Sequence, residues 1–445
     1  MAARTRTPNT GLARLFAETG WSRGQFTRAI GRVGAEIGVV AYYDESAVPH
    51  WLSGTMPRKS VRPLILEALS RKLARPVTAF DAGFTKSPDL SPAPADTVAG
   101  LVDLGSADMD PSRRAVLGAG LFSAALVIPD WPDVLDRFER LRSDPHTRIG
   151  TPEVNAVIAM TEHISGLDDA FGGRMARPLA AAFLVNIIAP YLKADASDGV
   201  RKAMLSAASD HLYLTGYMAM DERADGLAQQ YYTKALELAG AAGDHLTYCT
   251  TLRGMSVQAV DLGHGPLAVR LADAAASASP QAGPRTVAFL MGQHAHAAAQ
   301  TGDRAGALAK IKEAEVAMDK AESRAKAFGS YDPSSLNYHV GQVQYELGDI
   351  AGSIESLQMA DRLREPGHRR TRVRYNAMLA ERKLAVGRLE EACVDWHRVL
   401  DDYPNVQSGR CDDRIRIMLS AIAPHRKNAH GRELYDRALP MLKAA

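Results

Sequence analysis

The sequence predicts an all-α chain in two parts: a compact bundle of short helices at the front and a long array of helical hairpins behind it. Composition is globular, with 46% hydrophobic, 23% charged and only 6% aromatic residues, which favours Ala/Leu-rich helix packing over a β-sandwich or barrel. Helix starts and stops are signed by capping residues and glycines, with apolar side chains at helical spacing between them. From about residue 200 onward, small residues recur at a fixed interval. These observations divide the 445 residues into a head (1–84), a linker (85–110), a helical connector (111–200) and a repeat body (201–445).

In the head, a first helix is expected over Asn9 to Thr19, with Leu12, Leu15 and Phe16 on one face and Gly20 as its stop. Ser22 and Gln25 form a capping box, flanked by Trp21 and Phe26 at staple spacing, so a second helix runs from Arg23 to about Ile37. After a loop, Asp44 or Ser46 caps a short helix that turns Val48, Trp51 and Leu52 inward and stops at Gly54. Ser60 then starts a helix whose apolar face holds Leu64, Ala68, Leu69 and Leu73. Charge is unevenly divided: residues 1–75 carry twelve Lys/Arg against five Asp/Glu, so a front segment of net +7 precedes a remainder of net −5. A basic head on an acidic body suits a protein whose front end meets phosphates.

Ser46-x-Val48-x-x-Trp51-Leu52-x-Gly54-x-x-Pro57 resembles the recognition helix of lambda-repressor-like helix-turn-helix domains. The resemblance implies binding to double-stranded DNA, with Ser46, Ala47, Pro49, His50 and Ser53 facing the major groove. Thr55, Arg58, Lys59 and Arg62 would supply backbone phosphate contacts.

Pro88, Pro92 and Pro94 among Ser, Ala and Asp give residues 85–110 the composition of a semi-extended linker. The stretch Ser112-Arg113-Arg114-Ala115-Val116-Leu117 and the apolar run to Ile128 resemble a twin-arginine export signal. That run lies behind a whole domain and is too short to cross a bilayer, so with Asp110 as cap and Pro111 at the first turn it reads as a helix over 111–128. No run of about 20 apolar residues is evident, and no membrane partner is expected. Three widely spaced cysteines, Cys249, Cys393 and Cys411, suit a reducing cytoplasm.

The body repeats a trio of small residues, the second twelve after the first and the third seven further on. The trios are Gly216/Ala228/Ala235, Ser256/Ala268/Ala275, Ala295/Ala307/Ala314, Gly341/Ser353/Ala360 and Ala380/Ala392/Val399. Gly263, Gly302, Gly348 and Gly387 each fall seven after the first small position, where a helix would end in a left-handed cap. This pattern resembles the tetratricopeptide family, with intervals of 40, 39, 46 and 39 residues, against the family's ~34. The predicted fold class is therefore all-α, an N-terminal helix-turn-helix domain plus a tetratricopeptide-like α-solenoid. The resemblance places Tyr213, Tyr217, Arg253, His296, Tyr338, Gln342, Tyr345 and Glu381 in the concave groove, where they would bind a peptide, small molecule or protein. Residues 133–200 are expected to add one or two more helical pairs.

No phosphate loop, metalloprotease or hydrolase motif is present, His294 and His296 face different ways on one helix, and His339 stands isolated, so neither an enzyme, a cofactor nor a metal site is expected. The combination resembles Gram-positive, actinobacterial regulators of differentiation and antibiotic synthesis. It implies a cytoplasmic, homodimeric, ligand-sensing transcription regulator acting by repression in preference to activation. The alternative is a protein-interaction scaffold whose helix-turn-helix does not read DNA.

Overall fold

The computed structural model describes residues 8–36, 43–85, 97–110, 122–124, 144–278, 282–321, 331–364 and 367–443. Helices α1 (Thr10–Thr19), α2 (Arg23–Glu36), α3 (Ala47–Leu52) and α4 (Arg62–Leu73) build the head. Their local signals act as the sequence implies. Asn9 caps α1 by accepting from Leu12 N, Gly20 ends it at φ +64°, and Ser22 and Gln25 exchange hydrogen bonds of 2.8 and 3.2 Å. Leu12, Leu15, Phe26, Ile30, Val48, Trp51, Leu64, Leu69 and Phe84 close one core. Of the two candidate caps for α3, Asp44 is the one whose side chain engages the helix start, accepting from Ser46 N at 3.2 Å, while Ser46 makes no side-chain cap. The last helix begins at Arg62, two residues after Ser60, because Pro63 fits a first turn where no amide donor is needed.

The expected linker is partly helix. Residues Thr97–Met109 form α5, which turns Val98, Leu101 and Leu104 into the body's core and carries the fully buried Asp108. Proline composition marks the preceding stretch; the apolar spacing after it decides the helix. Of the helix expected over 111–128, residues 122–124 are described and are not helical, and the rest lies outside the described residues.

The body starts with a hairpin of α6 (Thr151–Phe171) and α7 (Gly173–Phe183), the latter running through a π-helical turn at Leu184–Ile188 into α8 (Ala189–Lys193). The run Gly173–Lys193, with a mean hydropathy of 1.4, is long and apolar enough to cross a membrane by length and composition, contrary to the expectation that no such run is present. Here it is tied into the fold: Arg177 pairs with Asp108 and, at 2.7 Å, with Glu222. A short parallel pairing, Asp144–Arg148 with Ala194–Asp195, is the strand pairing found among the described residues.

Helical hairpins then follow in series: α9 (Asp198–Asp221) with α10 (Asp225–Ala242), α11 (His245–Asp261) with α12 (Gly265–Ser277), and α13 (Pro284–Gln300) with α14 (Arg304–Asp319). Next come α15 (Pro333–Glu346) with α16 (Ile350–Arg362), α17 (Arg369–Ala385) with α18 (Leu389–Asp402), and α19 (Gly409–Ile422) with α20 (Ala429–Lys443). Every member of the five small-residue trios is buried, as close approach of paired helices requires. Ser256 and Ser353 also bond across the pair, to Ala268 O at 2.9 Å and Gly341 O at 2.6 Å. Gly263, Gly302, Gly348 and Gly387 all take positive φ, and Arg223 fills the equivalent place of the first repeat at φ +66°.

The array does not stay open. The loop before α19 returns to the first hairpin, where Gln407 N donates to Phe171 O at 2.6 Å and Arg174 N donates to Gln407 O at 3.1 Å. Glycine makes this approach possible. A Cβ on Gly172, which sits at φ +90°, would lie 2.4 Å from Gln407 O. The solenoid thus closes around its concave face.

Candidate functional site

Two surfaces of interest emerge, one on the head and one inside the body. On the head, α3 is helical and presents exposed His50 and Ser53, with Ser46 exposed and Ala47 and Pro49 half-buried, while Val48 and Trp51 point into the core. Arg58 and Lys59 are exposed and form no ion pair among the described residues; Thr55 is half-buried. Two side chains are partly engaged by their own backbone: Ser53 Oγ donates to His50 O at 3.0 Å, and Arg62 Nε donates to Pro57 O at 2.9 Å. Exposed Arg14, Arg23, Arg28 and Arg32 leave the head's surface strongly basic.

Inside the body, the concave face lines a chamber that opens in part to solvent. Of the residues placed in the groove from sequence, Tyr213, Tyr217, Arg253, His296 and Tyr338 line it. Gln342, Tyr345 and Glu381 do not. Gln342 accepts from Arg382, Tyr345 is 45% exposed under that same guanidinium, and Glu381 pairs with Arg414 at 2.9 Å. Those three sit further along the inner helices, past the point where the ring closes.

An ionic clasp forms the wall where the two ends of the array meet. Arg370 on α17 reaches Asp168 and Asp169 on α6 at 2.8 and 3.0 Å, and Arg410 on α19 reaches Asp221 on α9 at 3.2 Å and Asp261 on α11 at 2.9 Å. Tyr217 lies under both guanidiniums, 5.0 and 5.2 Å from its ring centre. Burial alone would raise its phenol pKa, but Arg410 and Arg370 pull it down to about 8. Burial pushes Asp168 up to about 7 against the pull of Arg370. Burial pushes His296 down to about 4, and His339 well down too, so both imidazoles are neutral and the chamber's charge comes from its Arg and Asp side chains.

His339 is not isolated, as the sequence suggested: its Nδ1 meets Tyr331 Oη at 3.0 Å, and its Nε2 lies 3.5 Å from Arg253. His294, by contrast, meets Asp273 on the outside of the pair at 3.1 Å. Sequence reasoning also missed Arg370, Arg374 and Phe289, although a signal existed. Arg370, Arg374, Ala377 and Glu381 continue one helical stripe of α17, and Phe289, Gln293 and His296 do the same on α13, so following the stripe N-terminally would have found them. Asp168 and Asp169 carried no such signal, because they belong to a hairpin outside the repeat register.

Among the described residues, head and body meet through a bridge at residues 122–124. Phe122 stacks on His264 with ring centres 5.2 Å apart, and Ser123 exchanges two 3.0 Å hydrogen bonds with Gln229 of α10. Ala124 N donates to the buried Glu67 of α4 at 2.9 Å, while Arg71 of α4 donates to Phe122 O at 3.3 Å. His264 stands at the N-cap of α12, one Leu262-Gly263 turn beyond α11, the helix that carries Arg253 and Asp261 to the chamber.

The architecture defines an all-α protein: a head of four short helices on a closed, tetratricopeptide-like solenoid. Comparison with known proteins adds a match of residues 12–85 to the family described as the SP15 N-terminal domain, which covers the head alone. A solved structure titled "Crystal structure of APC/C hetero-tetramer Cut9-Hcn1" is similar over 97% of this chain and 74% of that one, at 14% identity and a TM-score of 0.34. No curated protein matches the chain.

Proposed function

We propose that the protein is a sequence-specific DNA-binding transcriptional regulator whose helical-repeat body binds a ligand in its chamber and passes occupancy to the head. The observation that carries this reading is the bridge: His264 stands one two-residue turn beyond α11, which lines the chamber, and Gln229 lies on α10, the hairpin partner of chamber-lining α9. A ligand that favours one arrangement of α9 and α11 shifts Gln229 through the α9–α10 hairpin and His264 through the turn after α11, and with them the docking of Glu67 and Arg71; differential affinity for two arrangements is all that coupling requires. On this reading the protein acts in the cytoplasm as a homodimer and represses, placing two α3 helices about one DNA turn (~34 Å) apart on a palindrome.

The test is selection of bound sequences from random duplexes, followed by binding measured against salt. A preferred half-site should emerge. Replacing Arg58 and Lys59 by Ala should flatten the slope of log affinity against log salt by about 2, at roughly 0.9 per phosphate contact. Phe122→Ala should keep DNA affinity while removing any response to ligand. If no sequence preference appears and the double substitution changes nothing, DNA reading is lost.

The second reading is a protein-interaction scaffold. It is favoured by the exposed apolar side chains gathered on the first hairpin, among them Met160, Phe171, Met175 and Leu179 at 40–49% exposure.

A further inference from the structure

The chamber's arginines are unequally satisfied. Arg370 and Arg410 take up the carboxylates of Asp168, Asp169, Asp221 and Asp261. Asp332 is occupied too, accepting from Ser335 N at 2.7 Å. Arg253 and Arg364 form no ion pair among the described residues, and Arg374, 7% exposed, comes no nearer than 3.9 Å to Asp261. Buried donor atoms on all three lack an acceptor: Nε of Arg253, Nε and Nη2 of Arg364, and Nε of Arg374.

Aromatic rings hold two of these guanidiniums by the face, Arg253 over Phe289 at 4.1 Å and Arg364 over Tyr375 at 4.3 Å. Stacking satisfies the flat face of a guanidinium and leaves its edge donors directed outward, the geometry that grips a carboxylate or phosphate. Tyr375 in turn stacks on Tyr338 at 4.0 Å, so the donors are set beside apolar ring surface. A guanidinium stays charged at any accessible pH, and a buried donor without an acceptor is costly.

We propose that the chamber is a binding site for a small organic anion, a carboxylate or phosphate attached to an apolar or aromatic body, held by Arg253, Arg364 and Arg374. This inference deepens the ligand-binding reading above and rests on it. The anion's oxygens complete the edge donors, and its body lies against Tyr338, Tyr375 and Phe289. An extended peptide is the poorer occupant, because the ring closure at Gly172 and Gln407 shuts the groove along which a chain would run.

The test uses the full chain with phenyl phosphate, benzoate, inorganic phosphate and neutral benzamide, read by calorimetry and by thermal denaturation. At least one aromatic anion should bind and raise Tm at about 10 mM, with benzamide doing neither. Arg253→Gln and Arg364→Gln should each weaken that binding by about tenfold or more while the protein stays folded by circular dichroism. Arg372→Gln, whose side chain pairs with Asp402 away from the chamber, should leave it unchanged. The ranking of phenyl phosphate against benzoate tells phosphate from carboxylate preference. Binding of benzamide as strong as benzoate, no binding by any of the three anions, or full binding by both Gln variants would overturn the proposal. DNA binding is followed in the same samples: anion binding without any DNA response sinks only the sensor reading, and DNA binding without anion binding sinks only this one.

Discussion

Head and body treat charge in opposite ways. The head buries apolar side chains around Phe26, Trp51 and Ile65 and leaves Arg14, Arg23, Arg28, Arg32, Arg58 and Lys59 in solvent. The body draws Arg177, Arg370, Arg374, Arg382, Lys383 and Arg410 inside. A charge on a solvated surface is nearly free to gain or lose a partner, whereas a buried one fixes the positions of whatever neutralises it. Cations on the head are therefore available to an outside partner, and those of the body mostly set the geometry of the ring, with the three around the chamber as the exception.

The comparison breaks first at Arg177. Its removal takes the guanidinium from the buried carboxylate of Asp108, which keeps a 2.9 Å hydrogen bond from Tyr231 Oη, so Arg177→Met should cost about 3–5 kcal/mol in denaturant unfolding. A loss near zero would mean that the buried pairs do not organise the body. The ring closure comes next: Gly172→Ala drives a Cβ against Gln407 at a positive φ and should cost about 2–3 kcal/mol. Because the strain falls on the seam, hydrogen exchange should rise first at the start of α19.

Acid should strike the body in preference to the head. Burial depresses His211 from 6.5 to about 4, where its ring nitrogens meet Thr161 Oγ1 and Ala180 O. The unfolded imidazole takes up a proton below pH 6.5 and the folded one does not. Its contribution is therefore present above 6.5 and lost as pH falls toward 4, on the order of 3 kcal/mol in all. His211→Gln should flatten Tm against pH across that window, and an unchanged profile would place the acid sensitivity elsewhere. The smallest effect belongs to the head, where Arg58→Ala and Lys59→Ala should move stability by no more than about 0.5 kcal/mol.

Much of this was legible beforehand wherever the cause is local. The capping box at Ser22 and Gln25 and the glycine stops at positive φ depend on neighbours a few residues away, and the sequence displays them. The small-residue trios depend on one helix meeting the next, and a regular spacing carries that too. Arg223 shows the limit of the pattern: it adopts the turn conformation of the glycines at its equivalent positions, held by an ion pair to Asp413 at 2.6 Å, and nothing nearby announces it. Helix α5 was hidden for another reason, since the prolines before it dominate the composition of the stretch.

By itself, then, the sequence determined the helices, the pairing of each with its successor, the inward stripe that supplies Tyr213, Arg253, His296 and Tyr338, and the basic surface of the head. Only the tertiary structure decided that the groove closes into a chamber, that Asp168 meets Arg370 and Asp221 meets Arg410, and that residues 122–124 join head to body. The physical reason is separation along the chain. Contacts spanning about two hundred residues are fixed by the accumulated curvature of every hairpin between them, a quantity to which each repeat contributes a little and which no single motif records.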